Sequence, residues 1–317
     1  MAIRYIIPLL FFEIQAFLSF ALPLVSNYQK KVTVWDNVIP ESARNALHTV
    51  AKVSGLGHRV FQRPLVRNTN LIERALDAIL TEMGDSTSEY VEYWSRQEWR
   101  NIEAHADVDE NLAKYHDQLS GGQSNEPFRY PNKGHVLYLK VGTEVRGPTC
   151  LFPNHTSGGE LAKGKVELVT IPAVNGRLLQ FEGNLLHAVP RPTDIWFLPF
   201  VQGAPIFLPE EKYGRSVILF NTWTEMPPKD MPLNGESCDA GETLPALCNT
   251  KSAWKQQEFV ETATDDHTMQ SSAKVWLLGN ERRRGFIMRT VNLVAPENAK
   301  DTLYDVSTPR KILLGEF

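Results

Sequence analysis

Four runs of the chain alternate apolar and polar residues with a period of two: HVLYLKV at 135–141, KVELVTI at 165–171, GRLLQF at 176–181 and RSVILFNTW at 215–223. That period sends successive side chains to opposite faces, so each run predicts a strand with one face buried. Turn residues separate the runs, and many short strands at such intervals suggest a sandwich, barrel or jelly roll. KVWLLG at 274–279 and GFIMRTVNLV at 285–294 are two further strand candidates. Arg282-Arg283-Arg284 lies between them and reads as a solvated hairpin tip rather than a polyanion site. Residues 225–250 read as loop.

Before these strands the period changes. Residues 41–54 carry Ala43, Leu47, Val50 and Ala51 at helical spacing, with Gly55 and Gly57 as stops. In 70–83, Leu71, Ala75, Ile79 and Met83 share one face behind Asn70 as N-cap. Ser86 and Glu89 have capping-box spacing and predict a third helix running through Tyr93 and Trp94. The expected architecture is mainly β with flanking N-terminal helices.

Residues 1–26 place Arg4 ahead of a strongly apolar stretch that ends in small residues, the order of a signal peptide or signal anchor. Glu13, Pro8 and Pro23 weaken a membrane-spanning reading. An organelle presequence and ordinary N-terminal structure are the alternatives. The first reading routes the chain to the secretory pathway, as an ER-lumenal or secreted protein. Membrane contact would then come only through this segment, if it stays uncleaved. Asn154-His155-Thr156 is a lone glycosylation sequon. The expected organisation is 1–26 followed by a single domain over 27–317. Its parts are a helical portion (27–97), a strand core (98–224) and a C-terminal extension (225–317).

With Lys plus Arg at 33 and Asp plus Glu at 37, the net charge is −4. That balance lacks the basic excess of a nucleic-acid face. Three cysteines exclude a disulfide-dense scaffold and a four-cysteine zinc site. Cys238 and Cys248 are close enough to suggest a local bridge, if the compartment is oxidising. The stretch from Gly159 to Lys165 nearly spells a phosphate-binding loop. Val166 stands where a Ser or Thr would ligate magnesium, so the match fails.

Among eight histidines, one opens an H-x-D triplet, His105-Ala106-Asp107. In an extended strand its first and third residues share a face and can grip one ion from one side. A non-haem iron(II) site needs a second histidine and must leave positions open. His187 is the best candidate, 187 − 105 = 82 residues downstream and just after GRLLQF. Arg215 opens the strand RSVILFNTW, where a fixed guanidinium can clamp a carboxylate with two parallel hydrogen bonds. Arg215, Val217, Leu219, Asn221 and Trp223 share one face of that strand.

Taken together, Gly158-Gly159-Glu160-Leu161, Gly176-Arg177-Leu178-Leu179-Gln180-Phe181, Leu186-His187-Ala188-Val189 and Gly214-Arg215-Ser216 resemble the iron(II)/2-oxoglutarate-dependent dioxygenases, most closely the prolyl 4-hydroxylase-like branch. The resemblance covers about residues 93–224. It implies a double-stranded β-helix, or jelly-roll, core. His105, Asp107 and His187 would be both metal ligands and catalytic centre. Arg215, with Tyr138 as a second candidate, would hold the cosubstrate. The cofactors implied are Fe(II), 2-oxoglutarate as cosubstrate, and ascorbate as reductant. The activity implied is hydroxylation of a C–H bond in a peptide or small molecule, with release of succinate and carbon dioxide. Two features depart from the branch. Prolyl 4-hydroxylases usually carry Lys where Arg215 stands, and 28 residues separate His187 from Arg215. The intervening 194–213 would form a lid or an enlarged core hairpin. A non-catalytic jelly-roll binding module and a cupin-type metalloenzyme are the rivals. Intact site residues argue against the first, and Arg215, which a cupin does not need, against the second.

Overall fold

The computed structural model describes residues 31–53, 57–64, 70–97, 102–121, 126–142, 148–156, 165–189, 211, 214–233, 246–263, 269–276, 288–295 and 307–316. Eight strands make the core: β3 (Tyr90–Arg96), β4 (Ile102–His105), β5 (Lys133–Val141), β6 (Thr149–Thr156), β7 (Lys165–Ile171), β8 (Leu178–Glu182), β9 (Leu185–Val189) and β10 (Arg215–Trp223). One sheet holds them in the order β8-β5-β10-β3 and the other in the order β7-β6-β9-β4. Every pairing within these two sets is antiparallel. The chain crosses between sheets at nearly every step, which is the connectivity of a jelly roll. The fold class expected from the sequence is therefore the one observed.

The four period-two runs form strands, with both faces of β5 and β10 covered rather than the one face the pattern predicts. Along β10, Val217 and Leu219 face the space between the sheets, while Ile218 and Phe220 face outward. The inter-sheet core gathers Val136, Tyr138, Leu151, Val169, Leu179, Phe181 and Val217. The outward face is covered by α1 (Glu41–Val53) and α2 (Leu71–Glu82), whose Leu47, Ala51, Leu76, Ile79 and Leu80 are fully buried against it. Burying such a leucine contributes on the order of 1.5–3 kcal/mol. Asn70 caps α2 in a complete capping box with Glu73.

The third expected helix is a strand. Asp85 accepts from the Thr87 and Ser88 amides and from the Ser88 hydroxyl, closing a turn that leaves Ser88 no capping role. The following Tyr-Val-Glu-Tyr-Trp stretch is rich in residues that suit a strand. It pairs with β10 on one side and β2 (Arg59–Gln62) on the other, so ladder and packing override the local helix signal. β1 (Val32–Asp36) and β6 were both unread in the sequence; β1 extends the first sheet beyond β8, β6 lies inside the second between β7 and β9, and α3 (Glu110–Leu119) follows Asp109 as its N-cap. β11 (Lys255–Gln256) pairs with β1; β12 (Val260–Ala263) and β15 (Arg310–Glu316) extend the second sheet beyond β7. The late strand candidates appear as an antiparallel pair, β13 (Met269–Trp276) and β14 (Met288–Ala295), the first beginning five residues before the expected run.

Residues 1–26, the Gly158–Leu161 run, Arg282–Arg284 and nearly all of 194–213 lie outside the described residues. Cys238 does too, while Cys248 is a free thiol whose Sγ donates to the carbonyls of Val38 and Asn249. Among the described residues no helix is long and apolar enough to cross a membrane.

Candidate metal and cosubstrate site

His105 is the last residue of β4, and it stands directly opposite His187 in the antiparallel pairing with β9. Cross-strand partners of this kind bring side chains to within contact, and the two imidazole centroids are 4.3 Å apart. His187 follows the strand GRLLQF as expected and is itself the central residue of the next strand, β9. Gly183 makes the abrupt β8–β9 turn, since a Cβ there would lie 1.9 Å from the Pro131 carbonyl oxygen. Asp107 lies past the end of β4, so strand alternation does not align it with His105. The chain turns there, and Asp107 Oδ1 still comes to 3.6 Å from His105 Nε2 and 3.9 Å from His187 Nε2. One ligand atom from each of the three lies within 4.8 Å of the others.

Hydrogen bonds fix which atoms face the centre. The Leu185 carbonyl, 3.2 Å from His187 Nδ1, can only accept. Nδ1 therefore carries the proton, and Nε2 presents a lone pair. Burial, with His105 adding to it, pushes the His187 pKa down to about 4, although Asp107 pulls it up, so the ring is neutral at pH 7. Burial works to raise the Asp107 carboxyl. The neighbouring His187 and His105 and a hydrogen bond from Asn221 outweigh it and hold the group ionised, below its usual range. Asn221 Nδ2 donates to Asp107 Oδ2 at 3.1 Å, leaving Oδ1 turned to the histidines.

Donors bound to one ion at about 2.1 Å lie at most about 4.2 Å apart, so the 3.6 and 3.9 Å separations fit a shared metal. Two imidazoles and one carboxylate are the donor set that suits ferrous iron with positions left open.

Arg215 begins β10 and is 3% exposed. Its guanidinium carbon is 5.4 Å from the centre of the Tyr138 ring, and its Nε has no hydrogen-bond partner. Among the described residues no carboxylate forms an ion pair with it. Burial lowers its pKa, Tyr138 opposes that shift, and the like charge of Arg96 adds to it. A buried guanidinium in this state is costly unless an anion joins it. A dicarboxylate's far end has the charge and the planar pair of oxygens to do so. Tyr138 is fully buried beside Arg215, with its hydroxyl 2.6 Å from Thr149 Oγ1. Ser216 is also buried.

Arg177 is not available as a clamp. Its Nε and Nη2 hold both oxygens of Asp36 at 2.7 and 3.0 Å, and its remaining donors reach the carbonyls of Pro172 and Ser307. It is a staple between β1 and the chain's late segment. Leu179 and Phe181 line the inter-sheet space, and the Phe181 ring is 4.9 Å from His187. Trp223 instead donates from Nε1 to Glu92 and lies under the Arg129 guanidinium. A cavity of about 250 Å³ opens beside Asp107 and Asn221.

Asn221 is a site residue to which sequence reasoning gave no role. Its only signal was its place on the same face of β10 as Arg215. Asn221→Ala should weaken iron binding by about 10–100-fold, the usual scale for losing a group that orients a metal ligand. Iron titration against the parent protein checks this, with thermal unfolding as a control on the fold.

No protein-family model matches the chain, and no curated protein matches it in sequence. Solved structures do resemble it. A Pseudomonas putida prolyl-4-hydroxylase is 12% identical with a TM-score of 0.36, over 62% of this chain and 86% of that one. HygX from Streptomyces hygroscopicus, with nickel and 2-oxoglutarate bound, is 13% identical with a TM-score of 0.35, over 62% and 83%. The non-heme alpha-ketoglutarate-dependent carbocyclase SnoK from nogalamycin biosynthesis is 11% identical with a TM-score of 0.37, over 66% and 92%. The functional reading rests on this chain's own residues.

Proposed function

We propose that the protein is an iron(II)- and 2-oxoglutarate-dependent oxygenase that hydroxylates a C–H bond of a small molecule or peptide. The observation that carries this reading is the pairing of a convergent His105–Asp107–His187 group with a buried, unpaired Arg215 between the same two sheets. Either feature alone has an ordinary structural explanation. Together they match one metal with open positions and one dianionic cosubstrate.

The three ligands would hold the metal from one side, and the sides they leave free would admit cosubstrate and oxygen. Arg215 would take the distal carboxylate of 2-oxoglutarate with two donors, supported by the Tyr138–Thr149 pair beside it. With molecular oxygen as the oxidant, bound iron would couple oxidation of 2-oxoglutarate to succinate and carbon dioxide, which takes up one oxygen atom, to insertion of the other into the substrate C–H bond. Ascorbate would keep the iron reduced. Val217, Leu219, Leu179 and Phe181 keep water from the space around the centre. Asn221 keeps Asp107 in one orientation. The partner chemistry is a small molecule or peptide, not nucleic acid, and the N-terminal segment would place the reaction in the secretory pathway.

The test is succinate formation from 2-oxoglutarate by the full chain with iron(II) and ascorbate. Succinate should form slowly without a second substrate and stop when a chelator removes the iron. Folded, iron-loaded protein that makes no succinate and binds no 2-oxoglutarate would overturn the reading.

A further inference from the structure

The cavity beside Asp107 has a one-sided charge. Among the described residues, Glu92, Asp107, Asp109 and Glu110 line it, with His58 as the one basic side chain and no lysine or arginine. The carboxylates are not equivalent. Asp107 belongs to the metal group. Asp109 is satisfied by the Leu112 and Lys229 amides and an ion pair with Arg129. Glu110 stands at the exposed rim near Lys114.

Glu92 differs from all three. It is 8% exposed, on the inward face of β3, directly opposite Asn221 of β10. Its oxygens accept from His58 Nδ1 at 2.7 Å and Trp223 Nε1 at 3.3 Å. A carboxylate has about four acceptor sites, so two donors leave it half-satisfied. The His58 ring lies flat on Trp94, centroids 4.3 Å apart, which holds that donor to one side of the carboxylate. Trp94 lines the same cavity, is 7% exposed, and its indole N–H has no partner. A buried, half-satisfied acid beside an unused donor is costly in a sealed core, and here both line a cavity next to the metal group.

We propose that this cavity binds the protonated amine of a cationic substrate, with Glu92 as the specificity-determining carboxylate and the Trp94 indole N–H donating to a neighbouring oxygen of the same molecule. The proposal rests on the oxygenase reading for the identity of that ligand as the substrate. At about 250 Å³ the cavity is slightly smaller than a drug-sized site and accepts one small molecule, or one side chain of a peptide. The Glu92–Asn221–Asp107 sequence of neighbours places the bound amine near the metal, so the oxidised carbon lies a few bonds from the nitrogen.

The test uses three probes of one skeleton: 3-phenylpropylamine, 3-phenylpropanol and 3-phenylpropionate. Each is titrated anaerobically into the full chain loaded with iron(II) and 2-oxoglutarate, followed by calorimetry. The amine should bind about tenfold or more tighter than either companion, the scale of one charge-assisted hydrogen bond. Glu92→Gln should erase most of that preference and leave 2-oxoglutarate affinity as it was, because Arg215 holds the cosubstrate. Equal binding of alcohol or acid, binding of none of the three, or a full amine preference in folded Glu92→Gln would overturn the proposal. If Glu92→Gln does not fold, Glu92→Asp, which withdraws the charge by one methylene, should still reduce the preference, and an unchanged preference overturns it. Failure to bind 2-oxoglutarate would instead strike the oxygenase reading, and the same titrations into the chain without iron or 2-oxoglutarate rank the probes independently of it.

Discussion

His187→Ala should reduce bound iron from one per chain to nearly none. The variant removes one of three ligands from a centre whose other two, His105 and Asp107, stand only 3.6 Å apart. An affinity loss of at least about a hundredfold is expected, since even orienting groups outside the ligand set account for 10–100-fold. The fold should survive. The imidazole sits at the edge of the inter-sheet core against Phe181, and its loss leaves a small void costing about 1–3 kcal/mol. Metal content after dialysis measures the effect, and cobalt(II) as a coloured substitute reports geometry independently of turnover. The absorption bands of a four- to six-coordinate cobalt site should vanish in the variant. Retention of one iron per chain would remove His187 from the site and with it the cross-strand pairing as the basis of the metal centre.

Arg215→Met should weaken 2-oxoglutarate binding by about 2–5 kcal/mol, the cost of leaving a buried carboxylate without its charged partner. Iron affinity should be nearly unchanged, because the ligands come from β4, its following turn and β9. The stability of the ligand-free protein gives a second, opposite readout. If Arg215 were structural, its removal would cost about 3–5 kcal/mol, as when a buried ion pair is broken. A guanidinium that waits for a ligand is a burden on the free fold, so methionine should leave the melting temperature equal or higher. The pair of measurements, calorimetric titration of 2-oxoglutarate and thermal unfolding without it, separates the two roles. Unchanged cosubstrate affinity would mean that Arg215 is structural. Arg177, committed to Asp36, could not replace it.

The strands β5, β7, β8 and β10 were legible as short runs rich in Val, Leu and Ile between turn residues, although both faces of β5 and β10 are buried. The helices α1 and α2 were legible because only one stripe of each is buried against the sheet. β3 misled because a turn signal, Ser86 to Glu89, preceded a segment that was central in a sheet. There both faces are covered, by α2 on one side and by the cavity and second sheet on the other, and alternation of polarity is lost. α3 escaped notice because it is short and its apolar stripe, Leu112, Tyr115 and Leu119, is weak and not buried.

What the sequence alone determined was the chemistry on offer: a single H-x-D, a distal histidine, and an arginine opening an inward-facing strand. Those are properties of residue type and local spacing, and they suffice to name a donor set and a clamp. Tertiary structure decided which of these groups meet. His105 and His187 are 82 residues apart and touch because β4 and β9 pair in one register. A slip of one residue would send one imidazole to the opposite face. Asn221 and Glu92 acquire their roles the same way, through the β3–β10 register that sets them opposite one another beside Asp107. Register is fixed by the summed burial of whole strands and by turns such as that at Gly183. It is a property of the packed sheets that no short motif contains.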